Sequence, residues 1–134
     1  MPKVLIVEDN QLWQGILREE LESLVDKGDI IVAGNYHDAI SNSAPDVSLY
    51  ILDGRFPNNA GEKPQLLGLQ LAIDLHNRGV DYQRISLTSA SSAFLQAAKN
   101  LGIEKVYHKG TPDEKAGERG IERLVDDLRP LLTS

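Results

Sequence analysis

Apolar residues fall along this chain in short runs that alternate between two spacings. Runs rich in Val, Ile and Leu occupy 3–7, 30–33, 47–52 and 85–88, and a less apolar one lies at 104–108. Short runs of this kind read as strands covered on both faces, as strands are inside a parallel sheet. Between them the apolar spacing widens to that of a helix. Leu12, Ile16, Leu17, Leu21 and Leu24 predict a helix from Asp9 to about Val25, capped by Asp9 or Asn10. Gly28 and Asp29 then make a turn. A weaker helix is predicted over 37–42, closed by Pro45, and another runs through Leu69, Leu71, Ala72 and Leu75 to Gly79. A further helix spans 92–101. The last is expected to start near Glu118 to Ile121, because Gly117 and Gly120 each weaken a helix by up to about 1 kcal/mol. Its stripe is Ile121, Leu124, Val125, Leu128 and Leu131, and Pro130 is expected to fray its end.

Strand then helix, repeated, predicts an α/β, doubly wound domain: right-handed crossovers place helices on both faces of a parallel sheet. With 134 residues the chain can bury one real core and is short for two, so residues 1–134 are expected to form a single domain. No internal repeat or low-complexity tract interrupts it.

The ends of the runs carry the chemistry. The first stops at Glu8 and Asp9, the third at Asp53, the fourth at Thr88 and the fifth at Lys109. In an open parallel sheet, ligands bind beyond the carboxyl ends of the strands, so these side chains should line one crevice. Carboxylates about 4 Å apart repel by roughly 4 kcal/mol per pair at an effective dielectric of 20, which calls for a cation. Mg²⁺ meets that need with one or two carboxylates plus water and phosphate oxygens. Lys109 adds a fixed charge and Thr88 a hydroxyl donor. Together they read as a phosphoryl site with Asp53 as nucleophile, since a carboxylate can accept phosphoryl as an aspartyl phosphate.

Each residue taken singly has a plainer reading. Asp9 is as good a helix cap as a ligand, Asp53 before Gly54 is a common turn pair, Thr88 ends a strand, and Lys109 is a surface charge. Their joint placement at successive strand ends outweighs those readings. His37, His76 and His108 lie on separate elements without ligand spacing and read as surface residues. Trp13 reads as a partly exposed packing residue of the first helix.

Composition narrows the chemistry further. There is no cysteine, which excludes disulfides, thiolate zinc sites and cysteine nucleophiles. A net charge of -6 argues against direct nucleic-acid binding, which needs clustered Lys and Arg. No apolar stretch approaches the roughly 20 residues of a membrane span, and the first strand starts too early to leave room for a secretory leader. A cytoplasmic location is therefore expected, with no membrane partner.

In their order, "VLIVEDN", "YILDGRFP", "GLQLA" at Gly68, "ISLTS" and "KVYHK" resemble the receiver domain of two-component response regulators over essentially the whole chain. That resemblance implies a flavodoxin-like sheet of five strands in the order 2-1-3-4-5. It implies that Asp53 is the phosphoacceptor of a phosphorelay and that Asp9 ligates Mg²⁺ together with Asp53. Glu8 would act largely through water, and Arg55 would offer its backbone carbonyl to the metal. Thr88 and Lys109 would contact the phosphoryl group. The donor would be a histidine kinase or a histidine phosphotransfer protein, with acetyl phosphate as a small substitute. Receivers are not enzymes in the ordinary sense, although they assist their own phosphorylation and dephosphorylation.

Five features depart from the family pattern. Val106 stands where receivers usually carry a switching aromatic, and Tyr107, one place on, should face the other side of its strand. Gly110 replaces the usual proline after the lysine. The loop 58–67 and the stretch 110–119 are longer than is usual, and long loops beside a site are often functional. Arg55 puts a cation two residues past the phosphoacceptor.

The expected function is a stand-alone receiver that passes its signal through protein contacts to a downstream protein. In the family, the face made by the last two helices and the strand between them often serves as a homodimer or partner surface. The alternative is a phosphorylation-independent receiver acting as a binding module. A metal-dependent phosphohydrolase is less well supported, because Gly54 and Arg55 supply no second acid beyond Asp53.

Overall fold

In the computed structural model, residues 2–109 and 115–133 are described, with side chains except those of 115–119. Five strands form one parallel sheet: β1 (Lys3–Val7), β2 (Ile30–Ala33), β3 (Val47–Asp53), β4 (Ile85–Ser89) and β5 (Lys105–His108). Their order is β2-β1-β3-β4-β5, the order that the resemblance implied. Five helices alternate with them: α1 (Gln11–Leu21), α2 (Tyr36–Asn42), α3 (Gly68–Asn77), α4 (Ser92–Leu101) and α5 (Lys115–Thr133).

Side-chain alternation along each strand divides the core in two. Val4, Ile6, Leu49, Ile51 and Tyr107 face one side, against Trp13, Leu17 and Leu21 of α1 and Ile121, Leu124 and Leu128 of α5. Leu5, Val7, Tyr50, Leu52, Leu87 and Val106 face the other, against Ala39 of α2, Leu71 and Leu75 of α3, and Phe94 and Leu95 of α4. Fully burying one such aliphatic or aromatic side chain stabilises the fold by about 1.5–3 kcal/mol. With both faces covered, the strands have no need of polar alternation, which is why they read as unbroken apolar runs.

The sequence expectations hold for element order and fail at some ends. α1 stops at Leu21 instead of continuing to Val25; Leu24 and Val25 turn back with their N–H groups on the Leu21 carbonyl. Single 3-10 turns at Lys27–Asp29 and Tyr82–Arg84 lead into β2 and β4. α5 begins at Lys115, earlier than expected, and passes through Pro130 to Thr133. Gly120 is the reason that a glycine belongs there: a Cβ on it would collide with the His108 carbonyl, so α5 reaches β5 only because that position is bare. The buried stripe of α5 ends in Leu132, and Leu131 is exposed. At 100° per residue Leu131 lies about 80° from the centre of the stripe, whereas Leu132 returns to within about 20° of it.

Candidate phosphoryl-acceptor site

The strand alternation that places Val4, Ile6, Leu49 and Ile51 toward α1 and α5 also aims the next odd-man-out polar residues to that side. Glu8 follows Ile6, Asp53 follows Ile51, and Lys109 follows Tyr107 at the same two-residue step. Asp53 and Thr88 are paired in register across β3 and β4, and the Gly54 N–H donates to the Thr88 carbonyl at 3.0 Å. The Lys109 N–H donates to the Ser89 carbonyl at 3.0 Å, which extends the β4–β5 pairing by one step and fixes the lysine's origin.

Glu8, Thr88, Asp53 and Lys109 are all buried. The Lys109 ammonium donates to Glu8 Oε1 and sits 3.0 Å from Asp53 Oδ1. The Gly54 N–H donates to that same Asp53 oxygen at 2.8 Å, and the Asn10 N–H reaches Glu8 Oε2 at 3.2 Å. Among the described residues, both polar contacts of the Asp53 carboxylate therefore fall on Oδ1. Burial, and after it the neighbouring Asp53 charge, pushes the Glu8 carboxyl well above the usual carboxylate range, against the pull of Lys109.

Asp9 is half-buried beside them, and the cap of α1 is Asn10, whose side chain accepts from the N–H groups of Leu12 and Trp13. With Asn10 as cap, the Asp9 carboxylate is left for other work. Oxygens of Glu8, Asp9 and Asp53 lie within 4.8 Å of one another. Three hard oxygen donors without a nitrogen or sulfur suit Mg²⁺. The donor set therefore fits the ion. An open pocket beside Asp53 is lined by Arg55, Leu66, Ser89, Ala90, Ser91 and Lys109.

The structure thus brings Glu8, Asp9, Asp53, Thr88 and Lys109 to one edge, with Arg55 exposed at the rim. It pairs Glu8 directly with Lys109, a contact the sequence did not announce. It also corrects Trp13, which is only 4% exposed and lies with its ring centre 5.2 Å from the Lys109 ammonium. The signal was present: Trp13, Leu17 and Leu21 share one helical stripe that starts four residues after Asp9.

One glycine sets the approach of α3 to Asp53. A Cβ on Gly68 would lie 2.5 Å from the Asp53 carbonyl oxygen and 3.0 Å from Phe94, so α3 starts against the site only as a glycine. Gly68 also donates its N–H to the Gly54 carbonyl at 3.1 Å. The long loop is pinned at its neck by an antiparallel bridge in which Phe56 and Gln65 exchange N–H···O bonds of 3.0 Å. Its Pro57 and Asn58 carbonyls accept from the first N–H groups of α2, and Leu66, 59% exposed, is delivered to the pocket rim.

Val106 faces α4, as the alternation predicts, and Tyr107 faces α5. The Tyr107 hydroxyl donates to Asp127 at 2.6 Å, and the Arg123 guanidinium lies over its ring. Gly110 and most of the 110–119 stretch fall outside the described residues or their side chains. His37, His76 and His108 are exposed and on separate elements.

No protein-family model matches the sequence, and no curated protein matches it. Solved structures match the fold. A response regulator from Colwellia psychrerythraea superposes with a TM-score of 0.66 at 19% identity, over 97% of this chain and 95% of that one. The phosphorylated cyanobacterial phytochrome response regulator RcpA gives 0.66 at 13% identity, over 97% of this chain and 90% of that one. The fold is therefore that of response regulator receiver domains. A de novo designed Rossmann 2x3 fold protein reaches 0.63 at 13% identity over 100% of this chain and 94% of its own. An artificial sequence attains the same architecture, so a functional reading has to rest on the side chains at the carboxyl edge. Among the described residues, no helix is long and apolar enough to cross a membrane.

Proposed function

We propose that this chain is a phosphorelay receiver that takes one phosphoryl group on Asp53 and thereby changes its binding to another protein. The observation that carries this reading is the Asp53 carboxylate itself. It stands beside an open pocket, with one oxygen held by the Lys109 ammonium at 3.0 Å and the Gly54 N–H at 2.8 Å, and with two further carboxylates alongside.

In the step, an Asp53 oxygen forms a bond to phosphorus as the bond from phosphorus to the donor breaks, and the donor atom keeps the electron pair. For a histidine kinase or phosphotransfer protein that atom is an imidazole nitrogen; for acetyl phosphate it is the acetyl oxygen. Asp9, Asp53, the Arg55 carbonyl and, through water, Glu8 would hold Mg²⁺, which when bound supplies charge against the phosphoryl oxygens. Lys109 neutralises another of those oxygens and Thr88 donates a hydrogen bond to a third. The phosphoryl is accepted stoichiometrically, so the protein is a substrate of its donor and not a turnover enzyme. A cytoplasmic setting follows from that partnership.

A second reading is favoured by one observation. Tyr107 is tied to Asp127 and Val106 packs on α4, so the aromatic that receivers usually swing on phosphorylation is missing. A receiver without that device can serve as a phosphorylation-independent binding module. Acetyl phosphate with and without Mg²⁺, followed by intact mass on wild type and Asp53→Asn, tests the first reading. One phosphoryl on wild type only, and only with Mg²⁺, is the expected result. No gain on wild type, with no response to beryllofluoride, favours the binding module.

A further inference from the structure

A lysine ammonium on four flexible carbons is a poor catalytic instrument unless something holds it, since the side chain carries about 2 kcal/mol of rotamer entropy. Lys109 is held on three sides. Glu8 accepts a hydrogen bond from it, Asp53 forms an ion pair with it, and the indole of Trp13 covers it with a ring centre 5.2 Å away. The two carboxylates belong to the cluster around the acceptor and face the incoming phosphoryl group. The indole does not; it comes from α1, is buried, and is anchored in the same packed stripe as Leu17 and Leu21. It is thus the rigid wall against which the ammonium is placed.

The placement of Trp13 also goes beyond filling space. A packing role would be met by any apolar side chain on that stripe, as Leu17 and Leu21 meet it one and two turns later. Only at Trp13 does the stripe reach the level of the site. There the residue is the one with the most negative ring face among natural side chains, set within the distance at which a cation is attracted to it. Because Trp13 and Lys109 are both buried, that attraction is stronger than on a surface.

We propose that Trp13 is a positioning residue for Asp53 phosphorylation: its indole holds the Lys109 ammonium in place against the acceptor carboxylate. The inference rests on the receiver reading above and adds to it a residue outside the acidic cluster. Once a phosphoryl group arrives, the ammonium has only to turn toward it, without being recruited from solvent. The ring sets the rate of transfer and leaves the Mg²⁺ ligands untouched.

The test uses the fact that the chain contains a single tryptophan. Biosynthetic incorporation of mono-, di- and trifluorotryptophan alters Trp13 alone, withdrawing charge from the ring face with little change of shape. The initial rate of phosphoryl gain from acetyl phosphate at saturating Mg²⁺ is read by intact mass. The expected result is a stepwise fall in the logarithm of the rate with each fluorine. Alongside it, Trp13→Leu should be about tenfold slower and Trp13→Phe should recover most of the loss. In a Lys109→Met background the fluorine series should be flat, because the cation it acts on is gone.

A flat or rising series in a wild-type background that is phosphorylated overturns the inference and leaves the receiver reading standing. A falling series that persists in Lys109→Met also overturns it, since the effect would then be one of packing. A wild type that takes no phosphoryl at all overturns the receiver reading, and this inference with it. The fluorinated series keeps the test decisive if Trp13→Leu does not fold.

Discussion

Replacing Gly68 by alanine should destabilise this protein, while the same replacement at Gly15 should stabilise it. Both glycines are helical, Gly15 inside α1 and Gly68 at the first position of α3. At Gly15 an added Cβ meets nothing within 4 Å. Only the backbone entropy of the glycine changes, and alanine gains about 0.5–1 kcal/mol in a helix interior. At Gly68 the Cβ would lie 2.5 Å from the Asp53 carbonyl oxygen, and 3.0 Å from both the Gly54 Cα and the Phe94 ring. The first of these obstacles is backbone and cannot rotate away. α3 has to withdraw from β3 by several tenths of an ångström, straining the Gly68 to Gly54 hydrogen bond of 3.1 Å. Overpacking of this kind costs about 1–3 kcal/mol, and little helix propensity is recovered at a first helical position. The two variants should therefore lie on opposite sides of the wild type and differ by about 1.5–4 kcal/mol. Urea unfolding followed by circular dichroism reads this directly; with a slope of about 1–3 kcal/mol per molar, the midpoints should separate by about 0.5 M or more. Equal midpoints, or a Gly68→Ala variant more stable than wild type, would refute the close approach of α3 to β3.

Other consequences follow from the buried polar groups. Folded Glu8 keeps its proton to higher pH than unfolded Glu8, so its contribution to stability is complete below the unfolded carboxyl pKa and is lost as pH climbs toward the raised folded value. Lys109 opposes that rise; Lys109→Met in EDTA should match wild type best near pH 5 and fall progressively behind it as pH rises through about 8, by less than about 1 kcal/mol at pH 8 itself, and a loss independent of pH would count against the pairing. The Ser86 hydroxyl is buried without a hydrogen-bond partner among the described residues, so Ser86→Ala should leave thermal stability unchanged or raise it by up to about 1 kcal/mol; a clear loss would mean that the hydroxyl is satisfied. Tyr107→Phe should cost about 1–2 kcal/mol in urea unfolding through loss of the bond to Asp127, without changing the rate of phosphoryl gain if that ring is a fixed strut.

How much of this was readable along the chain differs by level. The strands were legible because burial on both faces forces continuous apolar runs, and the helices between them because one buried face repeats every three to four residues. The grouping of Glu8, Asp9, Asp53, Thr88 and Lys109 was legible too, since each lies at or just past the carboxyl end of a strand and parallel strands bring those ends to one edge. Helix ends were less so. Glycine and proline in α5 carry the local cost that sequence assigns to them, but Gly120 is selected by the His108 carbonyl against which it lies, a contact between positions on different elements. Leu132 replaced Leu131 for the same kind of reason, the angular position of each about an axis fixed by packing. What only the tertiary structure decided was pairing: that Asn10 and not Asp9 caps α1, that Glu8 meets Lys109 directly, and that Trp13 covers that lysine. Residue type and spacing determine which groups can reach an edge of the sheet; which of them then touch depends on distances of a few ångströms between distant segments, and those are set by how α1 and β5 pack on β1 and β3.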